Sequence, residues 1–482
     1  MPFNAAPWLI LSLAVLLVMG WRFSVLLLPP HGEHAWRDAD GLGVARSFLH
    51  DGFDIRYPRV AERGAHSGLV GMEFPLVNWL GALLMKVWGE SDGVARLPVW
   101  LCVPFLGAGM YALSRRLLES ERAAYVAAAF VVLQPLVVVF SHKMMPEVPM
   151  VTLVCWGLVF AFDGILGPGP RRGLATLTGA SLLALAAVLK PTGIAAAVPI
   201  TSWFLRSLRG RGERSPWRAS AWFATVVALP VAAVLVWFRH AQRLDVAGGI
   251  PLFHLRQDFL EWTHLIFTWP FFSVVFGRCI HLFFLWPTVL LMAWRWRALG
   301  RTLRRNSVLG IWFLVSLGVV VSFGAHNFHH QYYAIPLILP VGALVGAFIA
   351  EATAETLWPA ALSTVFLGVA ALTSLIRTAP LMPPIDFDAD RLSRALGKLG
   401  PRGLTVATDE HTPVVSLIVL RRIGWCVPAR DLTPERIAEL HREGAVTLVE
   451  SSFGGWLPDS TRAALPAPVY ADDQVRAYAL DP

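Results

Sequence analysis

Long apolar runs recur along this chain from residue 7 to about residue 376, and they constrain its fold more than any other feature. Many of them approach the roughly 20 residues that a helix needs to cross the hydrocarbon core of a membrane. Charged residues make up only 15% of the chain, whereas a soluble protein has about a quarter. The pattern predicts an all-α polytopic membrane protein with about eleven transmembrane helices.

The positions of the runs give the expected organisation of the membrane part, which we place at residues 1–378. We expect a first span over 7–28, a first outer loop over 29–93, and an amphipathic surface helix within that loop, over 74–88. The remaining spans are expected at 94–114, 122–140, 147–166, 174–190, 191–208, 219–238, 271–294, 308–325, 332–350 and 357–376.

Arginine clusters orient these spans. Four clusters fall on one side: Arg115, Arg116 and Arg122; Arg171 and Arg172; Arg206, Arg209, Arg211, Arg214 and Arg218; and Arg295, Arg297, Arg301, Arg304 and Arg305. Positive loops face the cytoplasm, so we expect an inner (plasma) membrane protein. The first outer loop, the loop near residue 142, the segments 239–270 and 326–331, and the tail would face outward. The same bias accounts for much of the net charge of +8, so no nucleic-acid partner is expected.

The tail, residues 379–482, differs from the rest of the chain. Residues 404–408 and 445–449 have the composition of strands, and 433–441 that of a helix with Thr433 as N-cap and Pro434 at its first position. This alternation predicts a small C-terminal α/β domain outside the cytoplasm.

Three carboxylates in the first outer loop are candidates for catalysis. Asp38 and Asp40 precede a helix predicted around Gly43, and Glu73 precedes the amphipathic segment. A carboxylate in such a position also caps a helix, so a capping role and a catalytic role are both open for each of the three. A partly desolvated carboxylate close to an acceptor hydroxyl acts as a general base.

Cations next to helix breaks suggest an anion site. Lys190 separates two apolar runs and is followed at once by Pro191, while Arg278 lies inside another run. A charge at such a position is costly unless it meets an anion or water, and phosphate is a natural partner for both. Lys143 and Glu147 flank a further break, where the alternatives are an interfacial lysine and an acid at a helix start.

A histidine-rich turn completes the candidate residues. It contains His326, His329 and His330, followed by Tyr332 and Tyr333. Without a ligand set of recognised spacing, binding of phosphate or sugar by His330, His329 and Tyr333 is favoured over a metal site. No cofactor is predicted with certainty, and a divalent metal is left open.

Short motifs in a fixed order on the predicted outer side carry a resemblance to a known family. They are Trp36 to Arg46 with Tyr57-Pro58-Arg59, Gly71 to Pro75, Met144-Met145-Pro146-Glu147, Lys190-Pro191, and Tyr333-Ala334-Ile335-Pro336. With them the chain resembles the GT-C superfamily of membrane glycosyltransferases over about residues 7–376. It is most similar to the group of protein O-mannosyltransferases and lipid A aminoarabinose transferases. It departs where Asp38-Ala39-Asp40 replaces the paired Asp-Glu of many members, where Lys190 precedes Pro directly, and where Glu147 replaces an Asp.

The resemblance implies an inverting transferase that moves a sugar from a polyprenyl-phosphate donor to a hydroxyl of a lipid, glycan or protein acceptor. The donor phosphate would lie near Lys190, Arg278, Tyr333 and His330, with Lys143, Glu147 and His329 as further cavity residues. Asp40 is narrowly favoured over Asp38 as the base, and Glu73 is the next candidate.

Other protein classes share parts of this pattern. A secondary transporter or lipid flippase would also have many spans, but it would more often show paired half repeats, which the sequence lacks. A scaffold or sensor would leave the positions of Lys190 and Arg278 unexplained. Polysaccharide ligases and polymerases have a large late outer loop that is not obvious in this chain.

Overall fold

The computed structural model describes residues 5–21, 23–167, 171–209, 216–248, 263–354, 356–382, 403–409, 414–452 and 454–480. Helices dominate up to residue 382. They are α1 Ala5–Gly20, α2 Ser24–Leu27, α3 Ala35–His50, α4 Leu76–Trp88, α5 Asp92–Trp100, α6 Cys102–Leu118, α7 Glu121–Val132, α8 Pro135–Phe140, α9 Glu147–Ile165, α10 Arg172–Leu189, α11 Ala197–Arg209, α12 Pro216–Gly248, α13 Trp269–Arg278, α14 Trp286–Trp294, α15 Trp296–Arg305, α16 Ser307–Ser322, α17 Gly324–His329, α18 Ile338–Ala352 and α19 Pro359–Thr378.

The structure supports a multi-pass membrane protein. Among the described residues, six helices are long and apolar enough to cross a membrane: Asp92–Leu118, Glu147–Ile165, Arg172–Leu189, Ala219–Ala247, Gln331–Ala352 and Pro359–Leu381. Two bent pairs of helices, α13 with α14 and α15 with α16, raise the number to eight if each pair is one span. The expected number of about eleven is therefore not confirmed.

Breaks inside the apolar runs explain much of the difference. The predicted span 122–140 is divided at Pro135, where the missing N–H and the ring interrupt the helix. The predicted span 271–294 turns by 90° after a π-helical segment, Cys279–Phe284. The predicted loop between the spans 271–294 and 308–325 contains the helix α15, which is bent by 95° from α16. The helices on the two sides of the bend near residue 285 are both apolar, so hydropathy does not reveal that bend.

Small residues allow close packing between the buried helices. Gly342 and Gly346 of α18 face α7, and a Cβ atom at Gly346 would lie 2.4 Å from the carbonyl oxygen of Ala123. Glycines four residues apart let helix backbones approach each other in a membrane, where packing rather than the hydrophobic effect holds helices together. The α7–α18 contact therefore depends on these two positions.

The helix of the first outer loop begins earlier than predicted. We expected Asp38 and Asp40 to precede it, but α3 already begins at Ala35 and contains both. The residue before α3, His34, has a left-handed backbone with φ of 57° and makes no capping hydrogen bond through its side chain. The prediction that one of the two aspartates caps this helix was wrong. The first turns of α3 are polar, so the hydropathy pattern does not mark the residue at which the helix begins.

The tail forms a five-stranded sheet in the order β2-β1-β3-β5-β4. The strands are β1 Leu404–Thr408, β2 Gly424–Val427, β3 Ala445–Ser451, β4 Tyr470–Ala471 and β5 Val475–Ala479, with helices α20 Val415–Val419, α21 Pro434–Arg442 and α22 Asp459–Ala463. Strand β1 is parallel to β2 and β3, and β5 is antiparallel to β3 and β4. The predicted strand–helix–strand unit is confirmed, including Thr433, whose hydroxyl accepts the Arg436 N–H at 3.2 Å.

The tail is joined to the first outer loop by backbone hydrogen bonds. The carbonyl of Gly424 accepts the N–H groups of Arg63 at 3.0 Å and Gly64 at 2.8 Å, and its N–H donates to Ala61 at 3.2 Å. The C-terminal domain therefore lies beside the loop that contains α3.

Candidate functional site

Lys190 and Glu147 form a buried ion pair at one end of a helix hairpin. Helices α9 and α10 pack side by side, and the short link between them makes them antiparallel, so the start of α9 meets the end of α10. Pro191 ends α10, and Lys190 adopts an extended backbone there. Its ammonium contacts a carboxylate oxygen of Glu147, and the side chains are 2% and 0% exposed.

Two tyrosine rings cover the same ammonium. The Nζ atom of Lys190 lies 4.4 Å from the ring centre of Tyr332 and 4.5 Å from that of Tyr333. Both tyrosines belong to the 3-10 segment Gln331–Leu337 that leads into α18. Cation–π contacts of this kind stabilise a desolvated charge. Lys190 is thus a fixed, mostly dehydrated cation.

Arg278 and His330 lie near this cation. The guanidinium of Arg278 donates to the carbonyl oxygens of Asn327 and, at 3.0 Å, Phe328, which fixes it against α17. His330 is within electrostatic range of both Lys190 and Arg278, and burial, then the neighbouring cations and histidines, lower its pKa to about 4. His330 is therefore neutral at pH 7 and available as a hydrogen-bonding group.

Glu73 belongs to the first outer loop and lies near Lys190. The segment that contains it is held by α12, since Trp237 donates to the Met72 carbonyl at 2.9 Å and Asp245 accepts the Gly71 N–H at 2.7 Å. Arg37 of α3 donates to Glu73 at 2.7 Å. Glu73 therefore forms an ion pair, and the alternative interpretation as the cap of α4 is not supported, since the residue before α4 is Pro75 and no side chain caps the helix.

The Arg37 and Lys190 charges set the ionisation of Glu73. Burial opposes the charged form, but these two cations hold its pKa below the usual value. The neighbouring N–H of Phe74 donates to the Val188 carbonyl at 3.0 Å, which brings the first loop to the end of α10.

Asp40 lies one helical turn after Arg37 on α3, within electrostatic range of Arg37 and Glu73. Burial, and to a smaller extent the charge of Glu73, raise its pKa to about 6 against the effect of Arg37. A carboxylate with a pKa near the working pH is suited to accept a proton. Asp40 therefore has the properties of a general base.

Asp38 and Lys143 are placed in a different cluster. Asp38 is 2% exposed, pairs with Arg96 at 2.7 Å and accepts the Met144 N–H at 2.7 Å. Lys143 donates to the carbonyl oxygens of His31 at 2.9 Å and Glu33 at 2.6 Å. It is buried, so it does not lie at the interface as the alternative interpretation had it. Both side chains fix the first outer loop to α5 and to the turn before α9.

The remaining candidate residue, His329, lies at the edge of the site. His329 is exposed, and its ring centre is 5.1 Å from that of Phe328 and 6.3 Å from that of His330. No group of three or more His, Cys, Asp or Glu side chains that fits a metal ion occurs within the described ranges. Binding of a divalent metal remains an untested prediction.

The sequence analysis did not select Arg37 or Tyr332 as site residues. Arg37 precedes Asp40 by three residues, so both lie on one face of α3. A prediction that began this helix before Arg37 would have placed the two side chains together. Tyr332 was visible only as the neighbour of Tyr333. Nothing in the sequence shows that both rings contact the same lysine.

An apolar groove of about 360 Å³ is lined by Pro191, the residue that follows Lys190. Gly193 and Ile194 also line this groove, together with residues of α9, α10 and α12 such as Val154, Leu183 and Val227. The end of α10 thus combines a buried cation with a long apolar surface.

The helical membrane part, the first outer loop and the small C-terminal sheet together define a multi-pass membrane protein with a small C-terminal domain. The chain matches the family of dolichyl-phosphate-mannose-protein mannosyltransferases over residues 72–237, about a third of its length. No curated protein matches it.

Solved structures share the fold. ArnT from Cupriavidus metallidurans bound to undecaprenyl phosphate aligns with a TM-score of 0.67 and 16% identity, over 99% of this chain and 98% of that one. The oligosaccharyltransferase AglB from Archaeoglobus fulgidus aligns with a TM-score of 0.56 and 10% identity, over 92% and 69%. The arabinofuranosyltransferase AftD from Mycobacteria aligns with a TM-score of 0.53 and 17% identity, over 99% and 42%. The resemblance seen in the sequence is confirmed: the chain has the GT-C fold, and its family match supports a membrane glycosyltransferase of this superfamily.

Proposed function

We propose that the protein is an inverting glycosyltransferase that moves a sugar from a polyprenyl-phosphate donor to an acceptor hydroxyl on the outer face of the plasma membrane. The observation that carries this proposal is the buried Lys190 ammonium, which contacts two tyrosine rings and directly precedes Pro191, a lining residue of an apolar groove. A polyprenyl phosphate has the matching chemistry, an anion attached to a long apolar chain.

The donor phosphate would be bound by Lys190 and Arg278, with His330 and Tyr333 as hydrogen-bonding groups. The Nδ1 atom of His330 is buried and, among the described residues, has no hydrogen-bond partner. The prenyl chain would follow the groove between α9, α10 and α12. This arrangement supports donor recognition by charge at one end and by apolar contact along the rest.

The reaction requires a base and a stabilised leaving group. Asp40 would accept the proton of the acceptor hydroxyl while its oxygen forms the new bond to the anomeric carbon. The bond between that carbon and the phosphate oxygen breaks, and its electron pair stays on the phosphate. Lys190 and Arg278 would stabilise this anion as its charge develops, so no general acid is needed.

Arg37 and Glu73 would orient the sugar between these groups. Their ion pair is mostly buried, at 19% and 18% exposure, and it keeps Glu73 ionised beside Asp40. A neighbouring negative charge disfavours ionisation of Asp40, which raises its basicity as a catalyst.

Contacts within the molecule support the outward orientation. The predicted outer segments touch one another: Lys143 contacts residues 31 and 33, Gln331 donates to Glu33 at 3.4 Å, and the tail binds the first loop. Segments of the predicted inner side touch in the same way, since Arg301 and Arg305 both pair with Glu351 at the end of α18. The positive-inside bias assigns the second group to the cytoplasm. Arg211 and Arg214 of the third cluster, and residues 249–262 of the predicted outer segment 239–270, lie outside the described residues.

Binding of undecaprenyl phosphate to the purified protein in nanodiscs tests the donor site. Lys190→Met and Arg278→Gln are expected to weaken binding about tenfold or more each, since a hydrogen bond to a charged group contributes about 1.5–3 kcal/mol. Lys86→Met, at an exposed position of α4, is the matched control. Unchanged binding in both site variants would contradict the proposed donor site.

A further inference from the structure

A second cavity, of about 460 Å³, lies where the first outer loop meets the C-terminal domain. Helix α3 forms one wall through Gly43 and Ser47. The tail forms the opposite wall through Arg421, Ile423 and Val446. The volume falls within the range of small-ligand sites, and the proposed donor site does not include it.

Arginines dominate the charge of this cavity. Four of them line it: Arg46, Arg63, Arg421 and Arg422. Two are neutralised by acids of the first outer loop, since Arg46 lies 3.5 Å from Glu90 and Arg63 lies 2.7 Å from Asp51. On the wall that the tail provides, Arg421 adds a further positive charge.

Arg421 provides the available charge. It is exposed, its backbone is left-handed with φ of 51°, and its N–H donates to the Ile418 carbonyl at 3.1 Å, which ends α20. No carboxylate of the described part of the chain pairs with its side chain. A guanidinium in this state binds phosphate or carboxylate through two parallel hydrogen bonds.

The cavity is connected to the candidate base by α3. Gly43 and Ser47 follow Asp40 by three and seven residues, so all three lie on one helix face. The rise of an α-helix places Gly43 about 4.5 Å and Ser47 about 10 Å further along the axis. A ligand in the cavity would therefore lie along the face of α3 that leads to Asp40.

The loop between α3 and α4 makes a second connection. Ala61 and Arg63 line the cavity, and Glu62 between them is within electrostatic range of Asp40 and of Asp409 at the end of β1. The tail, the loop and the base thus belong to one charged region.

We propose that this cavity binds the sugar unit of an acceptor that carries an anionic group, a phosphate or a carboxylate, and that Arg421 binds this group. The assignment rests on the proposed transferase function, because the cavity lies along the face of α3 that leads to the candidate base Asp40. It also gives the C-terminal domain a role, as one wall of the acceptor site.

Calorimetric titration of the full chain in nanodiscs tests the assignment with three probes: glucose 1-phosphate, glucuronate and glucose. At least one charged sugar is expected to bind, the tighter of the two identifies the anionic group, and glucose is expected to bind at least tenfold more weakly. Arg421→Gln should weaken binding of the charged sugar about tenfold. Arg421→Lys should retain more than Arg421→Gln, and Arg430→Ala, at an exposed tail position outside the cavity, should bind as the wild type.

Three results would overturn the assignment. They are equal binding of all three sugars, unchanged binding in Arg421→Gln, and loss of sugar binding in Lys190→Met, which would place the probe in the donor site. Undecaprenyl phosphate binding is measured in the same samples and is expected to be unchanged in Arg421→Gln. Failure of the wild type to bind undecaprenyl phosphate, with sugar binding intact, would contradict the donor site alone.

Discussion

The carboxylate of Asp38 accepts a 2.7 Å hydrogen bond from Nη2 of Arg96, and both side chains are at most 2% exposed. Through Nη1, Arg96 also donates to the carbonyl oxygens of Leu26 at 2.8 Å and Leu28 at 2.6 Å. The pair therefore joins α3 and α5 to the end of α2. Asp40, two residues further along α3, lies near Arg37 and Glu73 instead. The two aspartates of one motif therefore have different surroundings.

Asp38→Ala is expected to destabilise the protein strongly. Removing one partner of a buried ion pair leaves the other charge uncompensated, which costs about 3–5 kcal/mol. Thermal unfolding monitored by size-exclusion chromatography measures the effect. Asp54→Ala, which removes an exposed carboxylate that pairs with Arg56, should change the melting temperature little. Similar melting temperatures for both variants would show that the Asp38–Arg96 pair does not hold the loop.

Asp40→Asn is expected to abolish transfer without loss of stability. A positioned general base contributes about 10²–10⁴-fold in rate, whereas Asn keeps the shape of the side chain and removes a charge that burial disfavours. Turnover with a polyprenyl-phosphate sugar and the melting temperature are measured on the same preparation. Near-normal turnover would assign the base elsewhere, with Glu73 as the next candidate.

The rate of transfer should depend on pH through Asp40. Because its pKa is raised to about 6, the active carboxylate form is lost as pH falls through this value, and the rate should fall with it. The effect on stability has the opposite sign: the folded-state pKa exceeds the unfolded value, so protonation between about pH 6 and 4 favours the folded state at this position. Initial rates from pH 5 to 8 at saturating donor measure the first effect. A rate that stays constant down to pH 5 would exclude Asp40 as the titrating base.

Glu147→Gln should make the thermal stability of the protein depend more on bound donor. Without this carboxylate, Lys190 is a buried cation that has lost its ion-pair partner, so the melting temperature of the free protein should fall. The donor phosphate can replace the lost charge, and undecaprenyl phosphate should therefore raise the melting temperature more than in the wild type. An equal or smaller increase in the variant would show that the phosphate does not bind at Lys190.

Reporter fusions test the orientation in the membrane. The arginine cluster at 206–218 should be cytoplasmic and the tail should be outside, because positive loops remain on the cytoplasmic side. Fusions at residue 212 and residue 482 should give opposite signals with a reporter active on one side only. The same signal at both positions would exclude the proposed orientation of the site.

The sequence by itself determined the class of the protein and the order of its motifs. Apolar runs require membrane helices, because backbone groups in lipid must be paired within the chain. The composition of residues 404–449 was sufficient for a strand, a helix capped by Thr433 and a second strand, because these signals are local. The family resemblance, based on motifs such as Lys190-Pro191 and Tyr333 to Pro336, was likewise available from the sequence.

Tertiary structure alone decided which charges share a site. Asp38 and Asp40 are nearly equivalent in sequence, yet one meets Arg96, 58 residues away, and the other lies near Arg37 and Glu73. Lys190 finds its carboxylate 43 residues earlier, at Glu147. Such partners depend on how distant helices pack, and the energy of a buried charge depends on its partner, so neither could be inferred from local pattern. The bends that reduce the number of spans have the same origin, because hydropathy measures burial in lipid but does not record the direction of a helix axis.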